Sequence, residues 1–150
     1  MFWVKIAIVR IDFPFGNEKF SDKDYVLKIL KFLKNGGKLY ENQYITPSYI
    51  LDLVKAIKII AENKLGGVFH VATRDRTTPY DFGKMIVEKR GLVYEVNGSK
   101  FPDGVLMPKY AGLDVGLTER ALGIEFGISS DALDEFLFSP AFDLFMIAGK

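Results

Sequence analysis

The stretch at 38–91 constrains the fold more than any other part of the chain, because short β-type runs alternate there with longer helical ones. β-branched and aromatic runs favour strands, whereas longer apolar runs that open at Ser, Thr or Pro favour helices. The pattern predicts a strand, a helix, a second strand and a second helix, at 39–44, 47–64, 68–72 and 78–91. We therefore predict one α/β domain over 1–150, with mainly parallel short strands and packed helices.

Charge balance and residue usage exclude several kinds of site. The 20 basic and 19 acidic residues give a formal net charge of +1 and form no long run, so no nucleic acid partner is expected. The chain has no cysteine and one histidine. A disulfide framework, a thiol nucleophile and a histidine-rich metal site are therefore excluded, and no metal is expected.

The first ten residues are apolar, but Lys5 interrupts them. They also stop far short of the roughly 20 residues that a membrane-spanning helix needs. We expect no membrane association and no signal peptide, and hence a soluble protein in the cytoplasm.

The amino-terminal third predicts one strand and one helix. Residues 4–11 are short and β-branched, which favours a strand buried on both faces of a parallel sheet. Ser21 with Asp24 three residues later resembles a capping box at a helix start. The lysines that follow lie opposite the apolar positions, so this helix should be amphipathic, and Asn35-Gly36-Gly37 should end it.

The helix at 47–64 is predicted to be mostly buried, since at about 100° per residue its polar positions form one narrow stripe. These positions are Asp52, Lys55, Lys58 and Glu62. Beyond the second αβ unit, we predict a brief strand at 93–96, a loop at 97–108, short helices at 118–122 and 130–138, and an apolar tail at 138–147.

A dinucleotide-binding turn is missing from the sequence. Binding of a pyrophosphate at a helix N-terminus needs a glycine-rich turn directly after a strand. Neither G-x-G-x-x-G nor G-x-x-G-x-x-G occurs, and the pairs Gly36-Gly37 and Gly66-Gly67 follow predicted helices. We therefore expect no dinucleotide cofactor to bind to this chain alone.

Several motifs follow one another in a familiar order. They are Arg10 with Phe13-Pro-Phe-Gly16, then Asn42-Gln-Tyr-Ile-Thr-Pro-Ser48, Gly67-Val-Phe-His70 and Thr77-Thr-Pro-Tyr-Asp-Phe82. In this order they resemble the C-terminal half of the extended short-chain dehydrogenase/reductases. The resemblance is closest to the dTDP-4-dehydrorhamnose reductases, which reduce a keto-sugar carried on a nucleotide.

The resemblance implies a partial Rossmann-like fold and the substrate-binding half of an NAD(P)-dependent enzyme. The stretch at 106–114 replaces the family's Arg-Arg-Pro and the Asn-Ser-x-Leu-Asp that follows it, and Lys109 is the only candidate replacement there for a phosphate contact. The implied substrate-binding residues are Arg10, Phe13, Gln43, Thr46, Pro47, Ser48 and Lys109. NADP or NAD would bind only if a separate N-terminal half is supplied.

The family reaction also uses a Tyr-x-x-x-Lys pair, in which the lysine lowers the pKa of the tyrosine so that the phenol can transfer a proton. Tyr80 and Lys84 have this spacing, but they lie after the predicted strand that carries His70, where the family pair does not fall. Lysine four residues after tyrosine is also common on amphipathic helices. We therefore assign no catalytic residue.

Each candidate has a structural alternative. His70 suits a hydrogen-bonded core histidine, and Arg10 suits an ion pair with Asp12 or with a carboxylate of a helix. Gln43, Thr46 and Ser48 suit caps of the long helix, a role that is compatible with ligand binding. Arg74 and Arg76 follow a strand, where α/β proteins bind ligands, or they are only solvated.

Three functions remain open. The first is a nucleotide-sugar-binding portion of a reductase, not catalytic alone. The second is a non-catalytic regulatory or assembly subunit, like the reductase-related regulatory subunit of methionine adenosyltransferase, and the third is a truncated remnant. Because the first strand and the long helix would lack their cover, we also expect a homodimer or a complementing protein half.

Overall fold

The computed structural model describes residues 5–20, 22–102, 104 and 108–148. In chain order its elements are β1 (Ala7–Ile11), β2 (Pro14–Phe15), a 3-10 turn (Glu18–Phe20), α1 (Tyr25–Lys34), β3 (Lys38–Tyr40), β4 (Ser48–Tyr49), α2 (Ile50–Glu62), β5 (Gly67–Val71), α3 (Pro79–Arg90), β6 (Asn97–Ser99), α4 (Gly116–Leu122), α5 (Ser129–Leu137) and α6 (Pro140–Ala148).

The described strands pair as three parallel ribbons. β1 pairs with β5, β2 with β4 and β3 with β6. The β1–β5 register runs from Ala7 opposite Gly67 to Ile11 opposite Val71. A parallel pair needs a long crossover, and each of these crossovers contains at least one helix. The predicted α/β class with mainly parallel short strands is confirmed.

Two apolar cores hold the elements together. The larger core lies among α1, α3, α5 and α6 and contains the fully buried Phe15, Phe82 and Phe142. The smaller core lies between α2, β5 and α4 and contains Phe69 and Phe126. The apolar tail thus forms α6, which folds back onto the larger core through Phe142.

The start of α1 differs from the capping box predicted at Ser21. The helix begins at Tyr25, and the N-cap is Asp24, whose Oδ1 accepts the backbone N–H of Leu27 at 3.1 Å. Its Oδ2 accepts the N–H groups of Gly16 and Asn17 at 2.6 and 2.9 Å. Ser21 itself lies outside the described residues. One carboxylate therefore both caps α1 and fixes the loop after β2.

Strand β1 is not buried on both faces, as its β-branched sequence predicts. Ile8 is 51% exposed, and Ile6, Ile11 and the neighbouring Val68 of β5 are exposed as well. Within the described residues β1 has one partner strand, β5, because β2 pairs with β4 instead. The prediction is wrong because a two-stranded ribbon leaves one side of β1 without cover.

The burial of α2 agrees with the prediction only in part, since Lys55, Lys58 and Glu62 are exposed as expected. Asp52, expected on the polar stripe, is only 8% exposed, whereas Val54 is 56% exposed and Leu51 and Ile57 are also exposed. Ala56 and Ile60 are the residues that pack in the smaller core. Asp52 faces inward, and its Oδ2 accepts the N–H of Gly127 at 3.4 Å. An apolar face of α2 therefore points outward.

Two further boundaries differ from the sequence prediction. No described strand occurs at 93–96, where Tyr94 and Val96 pack against the larger core instead. The strand β6 lies in the predicted loop, because 97–99 pair with β3. Residues 103 and 105–107 of that loop lie outside the described residues. The stop signals at Gly91 and Gly123 are correct, since both adopt the left-handed conformation directly after a helix.

None of the described helices combines the length and the apolar character that crossing a bilayer requires.

Candidate functional site

The segment at 43–48 is fixed by backbone hydrogen bonds to two other parts of the chain. Ile45 exchanges two backbone hydrogen bonds with Thr77, at 2.8 and 3.0 Å. The N–H of Tyr44 donates to the carbonyl oxygen of Lys109 at 2.8 Å. The segment therefore joins the loop before α3 to the stretch that carries Lys109.

Thr46 connects this segment to the end of β1. Its backbone N–H donates to Oδ2 of Asp12 at 3.2 Å, and its buried hydroxyl accepts the N–H of Leu113 at 2.7 Å. Burial raises the pKa of Asp12 above its ordinary value, although the Thr46 amide acts in the opposite direction. The protonated form of this carboxyl is therefore more favoured than in solution.

Pro47 and Ser48 are buried parts of the framework. The hydroxyl of Ser48 donates to the carbonyl oxygen of Val71 at 2.6 Å and accepts the N–H of Asp12 at 2.8 Å. The carbonyl of Pro47 accepts the N–H of Thr73 at 2.8 Å. The structural alternative in which Gln43, Thr46 and Ser48 cap the long helix is wrong, because the N-cap of α2 is Tyr49, without a side-chain cap, and Ser48 is in β4.

Phe13 occupies a strained position directly after β1. Its φ is +43°, in the left-handed region that residues other than glycine rarely adopt. Its ring centre is 4.7 Å from that of Tyr25, which in turn stacks on Phe82 at 5.7 Å. Burial, and next the charge of Asp12, raise the pKa of Tyr25. The aromatic contacts hold Phe13 at the edge of the larger core.

Gln43 is 5% exposed, and its Nε2 has no hydrogen-bond partner among the described residues. Buried donors without partners are rare in native proteins, and they often mark a place for water or a ligand. The neighbouring Asn42 is structural, since its Oδ1 accepts the N–H of Phe101 at 2.7 Å.

Arg10 lies opposite His70 in the β1–β5 ribbon and is exposed. No described carboxylate lies within 4.0 Å of its guanidinium, so the alternative ion pair with Asp12 is not formed. His70 is tied to the framework: its N–H donates to Oγ1 of Thr118 at 2.8 Å, and Nδ1 is 2.9 Å from the carbonyl oxygen of Asp114. This geometry fits the structural alternative for the histidine.

A polar cavity of about 340 Å³ lies beside Thr46. Its other lining residues include Arg74, Arg76, Asp114 and Glu119. Arg74 is already paired there, with Nε 3.6 Å from Glu119 and a guanidinium nitrogen 3.5 Å from Glu125. The cavity can therefore accept hydroxyl and charged groups, and it adjoins the segment at 43–48.

The Tyr80 and Lys84 side chains do not form an isolated proton-transfer pair. Lys84 Nζ lies 5.9 Å from the centre of the Tyr80 ring and 3.9 Å from Oε1 of Glu88. Tyr80 packs partly against the larger core. Among the described residues, no group of three potential metal-ligating side chains occurs either.

The structure thus brings together Thr46, Pro47, Ser48 and the backbone of Lys109. Phe13 directly follows Asp12, whose backbone and side chain contact Ser48 and Thr46. Sequence reasoning missed the stacked pair of Tyr44 and Tyr110, whose ring centres are 5.2 Å apart at 20°. These two residues meet through a parallel β-bridge, which no sequence periodicity indicates. The only available signal was an aromatic residue next to Lys109.

Known proteins place this arrangement in context. The dTDP-4-dehydrorhamnose reductase from Clostridium acetobutylicum superposes with a TM-score of 0.73 at 22% identity, over 93% of this chain and 49% of that one. The reductase from Bacillus anthracis, solved with NADP, gives 0.71 at 20% identity, over 87% and 47%. A UDP-N-acetylglucosamine 4-epimerase from Methanobrevibacter ruminantium gives 0.69 at 18% identity, over 96% and 46%. No curated protein matches the sequence significantly.

The fold is that of one half of an extended short-chain dehydrogenase/reductase, and the chain spans about half the length of these solved structures. The sequence model of the RmlD substrate binding domain matches residues 3–139. The chain therefore belongs to the RmlD substrate binding domain family.

Proposed function

We propose that this chain binds a nucleotide-sugar, as the substrate-binding part of an NAD(P)-dependent oxidoreductase of the dTDP-4-dehydrorhamnose reductase type, and that it is not catalytic alone. The observation that carries the proposal is the position of the segment at 43–48. It is tied to Asp12 on one side and to Leu113 on the other, and Thr46 lines a polar cavity there. Family membership adds a substrate-binding role.

Within this proposal the side chains have distinct roles. Phe13 offers an aromatic face to the sugar, and Arg10 and Lys109 offer positive charge. The amide of Gln43 is buried without a partner among the described residues, so it can hydrogen-bond to a ligand without losing a protein contact. Pro47 and Ser48 fix the backbone of the segment.

The cofactor, NADP or NAD, belongs to a separate dinucleotide-binding half. The present residues do not suit it, because no strand within the described part of the chain is followed by a glycine-rich turn that could hold a pyrophosphate. Purified chain should therefore not oxidise NADPH. Oxidation that Tyr80→Phe abolishes would contradict this and would assign catalysis to Tyr80 and Lys84.

A thermal-shift panel of dTDP-, UDP- and GDP-sugars, each with and without NADPH, tests the binding proposal. A ligand at about 100 times its dissociation constant stabilises the folded state by roughly 2.7 kcal/mol. For a domain of this size, that corresponds to a rise in Tm of about 5–10 °C. NADPH alone should give no shift. Absence of a shift with every nucleotide-sugar would overturn the proposal.

A pair of phenylalanine variants makes the test specific. Phe13→Leu should lose most of the ligand-induced shift, because the aromatic face that the proposal offers to the sugar is removed. Phe32→Leu is the matched control, since Phe32 is an exposed residue of α1 in no described aromatic pair. Equal shifts for both variants would place the ligand away from Phe13.

The exposed apolar surface formed by β1 and α2 favours contact with a protein partner. A groove of about 830 Å³ lies between β1 and α2, lined by Ala7, Val9 and Ile57 among others, and Val54 is exposed nearby. We propose that a dinucleotide-binding half covers this face, and that two copies of the chain cover each other in its absence. The expected location stays cytoplasmic.

The same surface favours the second candidate, a non-catalytic assembly subunit that uses the fold for protein contact. The thermal-shift panel distinguishes the two candidates, because an assembly subunit should bind a protein partner and show no shift in Tm with any nucleotide-sugar.

A further inference from the structure

The positive charge of the chain is concentrated around α1. Residues 23–38 contain five lysines, no arginine and one acidic residue, Asp24, so this segment carries a formal charge of +4 in a chain of +1. Asp24 is buried, and its carboxylate already accepts three backbone N–H groups within the fold. The remainder of the chain is therefore net negative, and the charge is segregated rather than evenly mixed.

Four of these lysines form one surface, which we call the basic face. Lys28, Lys31 and Lys34 are exposed along α1, and positions three residues apart are neighbours on a helix. Lys38 begins β3 directly after the turn that ends α1, and it is exposed as well. None of the four has a carboxylate of a described residue within 4.0 Å. Within the described residues their charge is not neutralised by an ion pair.

An aromatic ring lies among these lysines. Phe32 is 48% exposed, follows Lys28 by one helical turn and belongs to neither apolar core. Its ring rests against Gly37, because a Cβ at that position would collide with the ring. The N–H of Gly37 donates to the carbonyl of Phe32 at 2.9 Å, which fixes the turn on which the ring rests. A solvated lysine surface alone does not account for an apolar ring held in this place.

The composition of the basic face favours a lipid surface over a protein or a nucleic acid. The segment at 23–38 lacks arginine, whose planar guanidinium suits bidentate contact with the carboxylates or phosphates of one defined partner. Lysine is also depleted from protein–protein interfaces relative to the rest of the surface. A lysine ammonium is a point charge on a flexible stem, which suits headgroups that form no fixed pattern. The Phe32 ring suits the apolar boundary just below such headgroups.

The buried side of α1 limits how deep such a contact can be. Val26, Ile29, Leu30 and Leu33 pack in the larger core, so α1 cannot turn its apolar side towards a bilayer. Only the Phe32 ring enters the interface, while the lysine ammonium groups stay at the level of the headgroups. The contact is therefore shallow and reversible, and it weakens as the salt concentration rises.

We propose that the basic face docks the chain onto the anionic phospholipid headgroups of a bilayer, with Phe32 inserted among them. This inference does not depend on nucleotide-sugar binding, because the basic face contains no residue of the segment at 43–48. It revises the expectation of no membrane association, which rested on the lack of a spanning segment and a signal peptide. Contact at the surface needs neither. The expected cytoplasmic location agrees with it, since the cytoplasmic leaflet carries anionic lipids.

Co-sedimentation of the full chain with unilamellar vesicles tests the docking. Vesicles of phosphatidylcholine mixed with phosphatidylglycerol in equal parts should bind the chain, and vesicles of phosphatidylcholine alone should not. The double variant Lys28→Gln/Lys31→Gln should lower the partition coefficient about thirtyfold, as expected for two lysines removed from an anionic surface. Arg120→Glu is the matched control, because it removes the same net charge at an exposed position of α4, and it should bind as the wild type does. An unchanged Tm without vesicles checks that each variant is folded.

Phe32→Ala supplies a second readout that separates insertion from charge. It should lower the partition coefficient about fivefold, because roughly half of the ring is already out of water, and it should leave the salt dependence of binding unchanged. Equal losses in the double Gln variant and in Arg120→Glu would refute the basic face, since net charge alone would then explain binding. Equal binding to both kinds of vesicle, or binding to neither, would refute docking on anionic lipid. Binding to duplex DNA but to no vesicle would overturn the proposal in favour of a nucleic acid. The nucleotide-sugar panel decides the proposed function separately.

Discussion

Replacement of Ser48 by alanine should be among the most destabilising single-atom changes in this chain. Ser48 is fully buried, and its hydroxyl joins the ends of two strands by accepting the N–H of Asp12 and donating to the carbonyl of Val71. These two groups lie where the β1–β5 pairing stops, after Ile11 and Val71. Alanine would leave both without their partner.

The magnitude follows from the burial of the two partners. Val71 is fully buried, so its carbonyl would lose its hydrogen bond where water cannot replace it, at about 1–3 kcal/mol. Asp12 is half-buried, and its N–H would lose about 0.5–1.5 kcal/mol. We expect Ser48→Ala to lower the free energy of unfolding by about 1.5–4.5 kcal/mol in total, a large part of the stability of a small domain.

Urea unfolding followed by far-ultraviolet circular dichroism measures this difference, provided that the m-value is unchanged. Ser130→Ala is the control, because Ser130 is a half-buried serine of α5 with no side-chain hydrogen bond to a described residue. It should change stability by less than about 0.5 kcal/mol. If Ser48→Ala costs no more than this control, the hydroxyl does not tie the two strands.

Three further predictions concern binding, pH and association. Gln43→Ala should weaken nucleotide-sugar binding, measured by calorimetry, at little cost in stability, because Nε2 of Gln43 has no hydrogen-bond partner among the described residues. If binding is unchanged, Gln43 has only a structural role. Burial raises the pKa of the Asp12 carboxyl above its ordinary value of 3.8, so the native state binds a proton at Asp12 more tightly than the unfolded state does. The contribution of Asp12 to the free energy of unfolding therefore falls as the pH rises above 3.8. Between about pH 4 and pH 7, the Asp12→Asn variant should therefore lose less stability than the wild type. Urea midpoints that change with pH in the same way in both proteins would contradict this. The isolated chain should be a dimer in light scattering at tens of micromolar. Val54→Lys should convert the dimer to a monomer, because Val54 lies on the exposed apolar face of α2. A wild-type chain that is monomeric would refute the predicted contact between two copies.

The order of helices and strands is predictable because its signals are local. Thr78 caps α3 by accepting the N–H of Asp81 at 3.0 Å, as Thr followed by Pro indicates. Gly91 ends the same helix in the left-handed conformation. Such contacts lie within a few residues, and residue type alone selects them.

Burial is less predictable, because it depends on which partners the helix meets. The apolar pattern of α2 is compatible with packing on almost any side. Asp52 nevertheless faces inward, where its Oδ2 accepts the N–H of Gly127, 75 residues later in the chain. The sequence likewise identifies the segment at 43–48 but not the function of Ser48, which depends on the distant groups of Asp12 and Val71. A two-residue strand such as β4 is also too short for periodicity to indicate.

The three parallel ribbons interleave along the chain. β1 pairs with β5 across a span that contains β3, and β3 pairs beyond that span with β6. Any single proteolytic cut between β1 and β6 therefore separates the two members of at least one ribbon. Each pairing must also close a long loop before it is stabilised, which slows folding. Between β1 and β6 the chain consequently has no boundary at which a cut leaves every described strand pair within one fragment.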